Sequence, residues 1–301
     1  MERGANLTII EKPRLRRPYM VCGISGWVDG GEAATGSVEY LIGKLEARRF
    51  AEMPIARFHI FQVPGQPSLR PQIRMEDGLL KEHRLPQNQF FCWVNPAADN
   101  DLILFLGTEP NINWEEYAGA ILAIAEEFVV VRIYLLGGVL DKTPHTKEPT
   151  VSCTCSAPEL KEEMQRYSVQ FTNYEGPGSF GTTLLYICQK RGVEIVSITA
   201  RATYYPEFSV IIPRNPKAIR ALVRMLNRLL HLNLDLSDLD KAVKELEGKF
   251  DSIISQRPDF RAYIEQLEKD FVEMKYEEPL EISAEEAVET AEEFLKRERD
   301  D

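Results

Sequence analysis

The chain is short of cysteine, and its cysteines form no pattern that indicates disulfides or a metal site. Five cysteines lie at scattered positions among 301 residues, and an odd, scattered set is not a disulfide framework. Cys22 and Cys188 lie within apolar runs and are expected in the core. Cys153 and Cys155 would share one side of a strand, but the single residue between them is fewer than a zinc pair usually has. We therefore expect no metal site.

Long apolar runs are absent as well. The longest stretch, 128–136, is interrupted by Arg132 and falls far short of the roughly 20 apolar residues that cross a membrane. The first 18 residues carry Arg14, Arg16 and Arg17 and lack the apolar centre of a signal peptide. These features predict a cytoplasmic protein without a membrane partner.

Positive charge is outnumbered by negative charge. The chain has 36 lysines and arginines against 47 aspartates and glutamates, which gives a formal net charge of −11. Residues 277–301 hold eleven acidic and three basic residues, a net of −8, so the other 276 residues carry only −3. No basic stripe interleaved with aromatic residues is present, and we therefore expect no nucleic-acid partner.

Strand-like and helix-like patterns alternate over about the first 230 residues. Apolar runs predict strands, and amphipathic stretches predict helices between them. The predicted strands are 19–25, 55–63, 101–107, 129–137, 150–156, 170–174 and 194–202. The predicted helices are 33–47, 114–128, 158–167, 180–191 and 215–231. This alternation predicts an α/β domain with a mostly parallel or mixed sheet and helices on both of its faces.

Local signals define some ends of these elements. Asn113 followed by Glu116 fits a capping box at the start of the second helix. Gly192 fits a C-cap at the end of the fourth helix. Residues 64–90 are rich in proline, glutamine and arginine, so we expect a long surface excursion there with a short hairpin.

The C-terminal part of the chain has a helical pattern. Residues 237–254 and 258–274 are amphipathic and predict a helical hairpin. A second capping box, from Ser283 to Glu286, predicts an acidic terminal helix that ends near residue 297. We therefore expect two parts, a core domain over 1–232 and a C-terminal helical extension over 233–301.

Four loops that follow strand ends carry residues suited to binding or chemistry. They are 26–31, 107–114, 137–146 and 174–181. In α/β proteins, ligands bind outside the carboxyl ends of the strands, so we expect a cleft where these loops meet. The candidate cleft residues are Gly26, Trp27, Asp29, Gly31, Glu109, His145, Tyr174, Gly176, Ser179 and Tyr205.

The fourth loop matches the phosphate-binding pattern Gly-x-Gly-x-x-Gly in its residue types, with glycines at 176, 178 and 181. Pro177 removes one amide donor, the preceding strand is short and polar, and no acidic residue follows at the distance that a ribose contact requires. The alternative is a tight turn into a helix that Ser179 caps. We favour this alternative and expect no cofactor.

Two interpretations stay open for the polar residues of the other loops. His145 is either a general base near Asp141 or Glu109, or a hydrogen-bonding anchor. Asp29 and Glu109 form an acid–base pair, or Asp29 binds amides of the glycine turn while Glu109 caps the helix that follows it. The local sequence places no nucleophile, so we assign no catalytic residue.

The loop motifs follow one another in a characteristic order. They are Gly26-Trp27-x-Asp29-x-Gly31-x-Ala33, Gly107-x-Glu109-Pro110 with Trp114, Pro144-His145-Thr146, Tyr174-x-Gly176-Pro177, and Tyr205 before Ile212-Pro213. In this order and spacing, the chain resembles the proteasome assembly chaperone family, second-chaperone type, over about residues 7–235. The resemblance implies a phosphorylase/hydrolase-like, three-layer α/β/α fold, small homo-oligomers, and action through protein contact without turnover.

Two functions follow from these observations. The first is a non-enzymatic protein of the assembly-chaperone type that binds other proteins and forms homo-oligomers. The second is a small-molecule binder, or a hydrolase or nucleoside-phosphorylase-like enzyme, with its cleft at the loops around Asp29, Glu109, His145 and Gly176. The aromatic residues near these loops suit a protein interface and a pocket wall about equally.

Overall fold

The computed structural model of the chain describes residues 3–4, 7–61, 70–96, 98–205 and 214–271. The strands within these ranges are β1 (Arg3–Gly4), β2 (Leu7–Ile9), β3 (Tyr19–Ser25), β4 (Arg48–Glu52), β5 (Gln72–Glu76), β6 (Leu79–Arg84), β7 (Gln89–Trp93), β8 (Leu102–Thr108), β9 (Arg132–Asp141), β10 (Val151–Cys155), β11 (Gln170–Phe171) and β12 (Ile195–Thr203). The α-helices are α1 (Ala33–Lys44), α2 (Trp114–Glu127), α3 (Pro158–Met164), α4 (Phe180–Arg191), α5 (Pro216–Leu229), α6 (Ser237–Ser255) and α7 (Pro258–Asp270). The predicted terminal helix and the Ile212-Pro213 motif lie outside the described residues.

Ten strands form one mixed sheet, in the order β1-β2-β4-β7-β8-β3-β9-β12-β10-β11. The central strands β8, β3, β9 and β12 are parallel to one another, and β7 and β10 flank them in antiparallel orientation. Successive side chains on a strand point to opposite faces. Val21 and Leu104 therefore pack with residues of α1 and α5, whereas Cys22 and Phe105 pack with residues of α2 and α4. The predicted three-layer α/β/α architecture is confirmed.

The prediction of a strand at 55–63 is wrong. Ile55–Arg57 form a short 3-10 helix, and the strand lies earlier in the chain, at β4. A β-bulge between Arg49 and Ala51 leaves Phe50 and Ala51 both buried, so β4 lacks the two-residue alternation that identifies a strand in sequence. The hairpin expected within 64–90 is confirmed as β5 and β6.

The capping box predicted at the start of α2 is also wrong. Asn113 has a left-handed backbone and accepts no capping hydrogen bond. Its side-chain amide donates to the carbonyl of Arg57 (2.9 Å), and Glu116 accepts from the guanidinium of the same arginine (2.8 Å). Both residues therefore hold the neighbouring 3-10 segment against α2. The C-cap at Gly192 is confirmed, with φ of 68°.

The helices α6 and α7 form the predicted helical hairpin. Their apolar side chains make a small buried cluster with Tyr205, which contains Leu246, Phe250, Ile254, Phe260 and Ile264. Ion pairs tie α6 to α5, from Lys217 to Glu247 (2.6 Å) and from Arg220 to Asp240 (2.8 Å). The division of the chain into two domains at residue 232 stays a prediction.

Candidate functional site

A cleft of about 470 Å³ lies beside β9, β12 and the N-terminal end of α4. The four predicted loop regions all contribute to it. The first gives Trp27, the second gives Glu109, and the fourth gives Tyr174 and Ser179. The third contributes its first residues, which extend β9 as far as Asp141. Residues from all four loops therefore meet at one cleft.

The floor of the cleft is one face of three neighbouring strands. Strand alternation sends every second residue of β9, β10 and β12 to this side. The floor residues are Leu135, Gly137, Val139, Ser152, Thr154, Ser197, Thr199 and Arg201. Their sequence neighbours point to the opposite face, where Val196, Ile198 and Ala200 are buried in the core. One side of this part of the sheet is therefore packed, and the other side is rich in hydroxyl groups.

Glu109 uses both carboxylate oxygens to hold the wall of the cleft. Its Oε2 accepts a hydrogen bond from the amide of Trp27 (2.8 Å), and its Oε1 accepts one from the amide of Phe180 (2.9 Å). The second amide is at the start of α4, where the helix dipole favours a negative charge. Glu109 thus caps α4 and not α2, the helix that follows it in sequence.

Gly26 is required by this arrangement. Its φ is +150°, and a Cβ at this position would lie 2.5 Å from Oε2 of Glu109. Any larger residue would therefore collide with the carboxylate that holds the amide of Trp27. The glycine that the sequence marked as a turn residue acts here by allowing the close approach of Glu109.

Asp29 binds the first turn of α1 and does not line the cleft. Its Oδ1 accepts from the amides of Ala34 (2.8 Å) and Thr35 (3.1 Å), and its Oδ2 accepts from the Thr35 hydroxyl (2.6 Å). Burial raises the pKa of Asp29 to about 6. Gly31, at φ +66°, lets the same turn pass close to Asn215. Asp29 and Glu109 thus bind separate sets of backbone amides.

The loop before α4 is fixed by its own hydrogen bonds. The Tyr174 hydroxyl donates to the carbonyl of Pro177 (3.0 Å), and a Cβ on Gly176 would lie 2.5 Å from that hydroxyl. Ser179 accepts from the amide of Thr182 and caps α4, as predicted. These contacts, with the amide of Phe180 already bound, favour a tight turn over a phosphate loop.

His145 and Tyr205 lie together under α6 and not in the cleft. The Tyr205 hydroxyl accepts from the amide of His145 and bonds its Nδ1, both at 3.0 Å. The imidazole packs against Phe250, with ring centroids 4.8 Å apart, and burial lowers the pKa of His145. Its Nε2 lies 3.8 Å from a carboxylate oxygen of Asp251. These contacts describe a hydrogen-bonding anchor for the helical hairpin.

The floor hydroxyls and an ion pair at the end of the cleft were not predicted from the sequence. Arg201 and Asp141 pair at 2.9 Å across the parallel strands β12 and β9. The available signal was the alternation along β12, in which small polar and apolar residues take turns from Val196 to Arg201. Two exposed aromatic residues stand at the rim, Trp27 at 58% exposure and Tyr174 at 65%.

Within the described ranges, no group of three or more histidine, cysteine, aspartate or glutamate side chains is placed to hold a metal ion. Cys153 and Cys155 lie on one side of β10 with their Sγ atoms 3.6 Å apart. No helix in the described part of the chain has the length and apolarity to span a membrane.

Comparisons with known proteins place this fold in one family. Among proteins of curated function, none matches the chain. A PAC2 family protein from Streptomyces avermitilis is 30% identical, covers 78% of this chain and 95% of its own, and has a TM-score of 0.67. A proteasome-assembly chaperone homologue from Mycobacterium tuberculosis is 27% identical over 82% of this chain and 99% of its own, with a TM-score of 0.70.

A third solved structure shares the fold. It is an archaeal proteasome activator from Pyrococcus furiosus, 23% identical over 82% of this chain and 97% of its own, with a TM-score of 0.62. The PAC2 family itself matches residues 23–254, which is well over half of the chain. The resemblance to the proteasome assembly chaperone family is confirmed, and the chain belongs to the PAC2 family.

Proposed function

We propose that the chain is a non-enzymatic, cytoplasmic protein of the assembly-chaperone type that binds other proteins and forms small homo-oligomers. Family membership supports this proposal, because the solved structure from Mycobacterium tuberculosis is described as that of a proteasome-assembly chaperone homologue. The two carboxylates considered for acid–base chemistry, Asp29 and Glu109, are bound to backbone amides. Their arrangement supports a structural role for both.

The observation that carries the proposal is the hairpin of β5 and β6. Among the residues that the structure describes, these strands pair only with each other, as a two-stranded sheet separate from the main one. Every residue of β5 is exposed. A two-stranded hairpin alone is marginally stable in water, so this one gains most from packing against another chain.

The two faces of the hairpin differ in chemistry. Met75 pairs with Leu80 across the strands, and Ile73 lies two residues before Met75, so these three side chains share one face. They are 59%, 55% and 57% exposed, respectively. The other face carries Arg74, whose guanidinium lies 3.0 Å from a carboxylate oxygen of Glu82. It also carries Leu79, which pairs with Glu76 and is 61% exposed. Exposed apolar side chains beside charged ones are typical of a protein-contact surface.

The test compares the two faces of the hairpin. The triple variant Ile73→Ser/Met75→Ser/Leu80→Ser removes the apolar face, and Gln72→Ser/Glu76→Ser changes the other face as a matched control. Molar mass from light scattering should exceed that of one chain for the unaltered protein and the control, and fall for the triple variant. A pull-down from the source organism's extract should lose specific partners with the triple variant alone. Equal mass and equal partners for all three proteins would contradict the proposal.

A further inference from the structure

The cleft holds a set of hydroxyl groups without partners in the fold. Within the described residues, the side chains of Thr154, Ser197 and Thr199 make no hydrogen bond, and all three are half-buried. Ser152 has only a long contact of 3.4 Å to the carbonyl of Thr199. A hydroxyl donates one hydrogen bond and accepts two, so this floor offers several of each at fixed positions.

The walls above this floor are apolar, and the rim is aromatic. Val28, Leu140 and Leu185 line the sides. Trp27 stands at the rim with more than half of its surface exposed. An aromatic side chain at the mouth of a half-enclosed cavity gains free energy when a planar or apolar group covers it.

The rim is held in place before any ligand arrives. Glu109 fixes the backbone of Trp27 through its amide. The Tyr174 hydroxyl is fixed to the carbonyl of Pro177. Because the backbone of Trp27 and the side chain of Tyr174 are already ordered, these two parts of the rim lose little conformational entropy when a ligand binds between them.

Charge restricts which ligands fit. Among the described lining residues, Arg201 is the one cation, and it is paired with Asp141 at 2.9 Å. Glu109 adds a negative charge to the same wall, and the α4 amide nearest to it, that of Phe180, is already bound. A phosphate group placed here would lose its water and gain no free cation, which is unfavourable.

We propose that this cleft binds a small uncharged molecule that carries a planar ring and several hydroxyl groups. The hydroxyls bind to Thr154, Ser197 and Thr199, and the ring packs at the rim against Trp27 and Tyr174. A volume of about 470 Å³ lies within the usual range for pockets that enclose such molecules. Uncharged nucleosides and aryl glycosides both have this chemistry, and the experiment separates them.

The experiment uses the full chain and two arms of probes, each at millimolar concentration. One arm is adenosine and uridine, with adenosine 5′-monophosphate as the charged counterpart. The other arm is 4-nitrophenyl β-glucoside, with glucose as the counterpart that lacks the ring. Saturation-transfer NMR detects binding, and titration calorimetry measures its strength. At least one uncharged probe should bind, and its counterpart should bind at least about tenfold more weakly, as expected when a favourable contact is lost or a charge is left unpaired.

Variants of the floor and the rim place the binding site. Thr199→Val removes one hydroxyl at nearly constant volume and should lower the affinity for the probe about fivefold to tenfold. Thr199→Ser keeps a hydroxyl and should restore the affinity. Trp27→Ala should lower the affinity about tenfold. Tyr186 is an exposed tyrosine of α4 outside the cleft lining, so Tyr186→Ala should leave the affinity unchanged. Should Thr199→Val unfold, Ser197→Ala replaces it.

Three results would overturn the proposal. The first is that no uncharged probe binds to the chain. The second is that adenosine monophosphate binds as strongly as adenosine, or glucose as strongly as the aryl glucoside. The third is that binding is unchanged in both Trp27→Ala and the folded floor variant.

Discussion

Replacing Asp29 with asparagine tests the electrostatics of the turn that leads into α1. The carboxylate accepts three hydrogen bonds there, from the amides of Ala34 and Thr35 and from the Thr35 hydroxyl. Burial nevertheless raises the pKa of Asp29 from 3.8 to about 6, because desolvation outweighs these bonds. The folded state therefore favours the protonated form of this side chain more than the unfolded chain does.

The sign of the pH dependence follows from linkage. A carboxyl whose pKa is higher in the folded state stabilises the fold fully below the unfolded value, near 4, and this stabilisation disappears as pH rises through about 6. Relative to pH 8, the Asp29 carboxyl should add about 2 kcal/mol to the free energy of unfolding at pH 4.5 and about 1 kcal/mol at pH 5.5. Asparagine retains an oxygen acceptor for the two amides and does not titrate.

The assay is urea unfolding of the unaltered chain and of Asp29→Asn at pH 4.5, 5.5, 6.5 and 8. The free energy of unfolding of the variant, minus that of the unaltered chain, should rise by about 2 kcal/mol between the lowest and highest pH. Glu245→Gln, which removes one exposed charge from α6, controls for the change in net charge. A difference that stays constant within about 0.5 kcal/mol, or that falls as pH rises, would refute the reasoning.

Two further predictions concern close contacts. Gly26→Ala should lower the free energy of unfolding by about 2 to 3 kcal/mol, because the new Cβ would lie 2.5 Å from Oε2 of Glu109 at a backbone angle that disfavours alanine. Urea unfolding measures this loss, and a loss below about 0.5 kcal/mol would contradict the geometry. Tyr205→Phe should lower the free energy of unfolding by about 1 to 3 kcal/mol, because it leaves the buried amide of His145 unpaired. Thermal unfolding measures the loss of stability, with Tyr263→Phe as the control. Equal melting temperatures for the two variants would argue against the anchor.

The parallel centre of the sheet could be predicted because its signals are local. The strand at Tyr19–Ser25 is a continuous apolar run, and both of its faces are covered by helices, so composition alone identifies it. The caps at Ser179 and Gly192 are also local, since each depends on residues within one helical turn. At β4, by contrast, a bulge removed the alternation, and the partly alternating apolar residues of 55–63 made the later segment look like the strand.

The contacts of the cleft could be predicted only in part, because they join distant residues. Sequence position shows that Glu109 follows a strand, and this was enough to place it at the cleft. It does not show that the carboxylate reaches the amides of Trp27 and Phe180, which are 82 and 71 residues away. His145 shares the loop signal but is covered by Phe250 of α6, so only the tertiary fold removes it from the cleft.

The hairpin and the cleft are built from different strands, and this separation makes the two proposals independent. Ile73 and Met75 belong to the separate two-stranded sheet, whereas Thr199 and Ser197 belong to β12 in the main sheet. Substitutions at sites that share no partner usually have additive effects, so each set of variants should leave the other assay unchanged. If the apolar-face variant of the hairpin also weakened ligand binding, or if a bound ligand changed the molar mass, the two surfaces would be energetically coupled. That coupling would have to be reciprocal, so a ligand that changed self-association would bind the oligomer and the single chain with correspondingly different affinities.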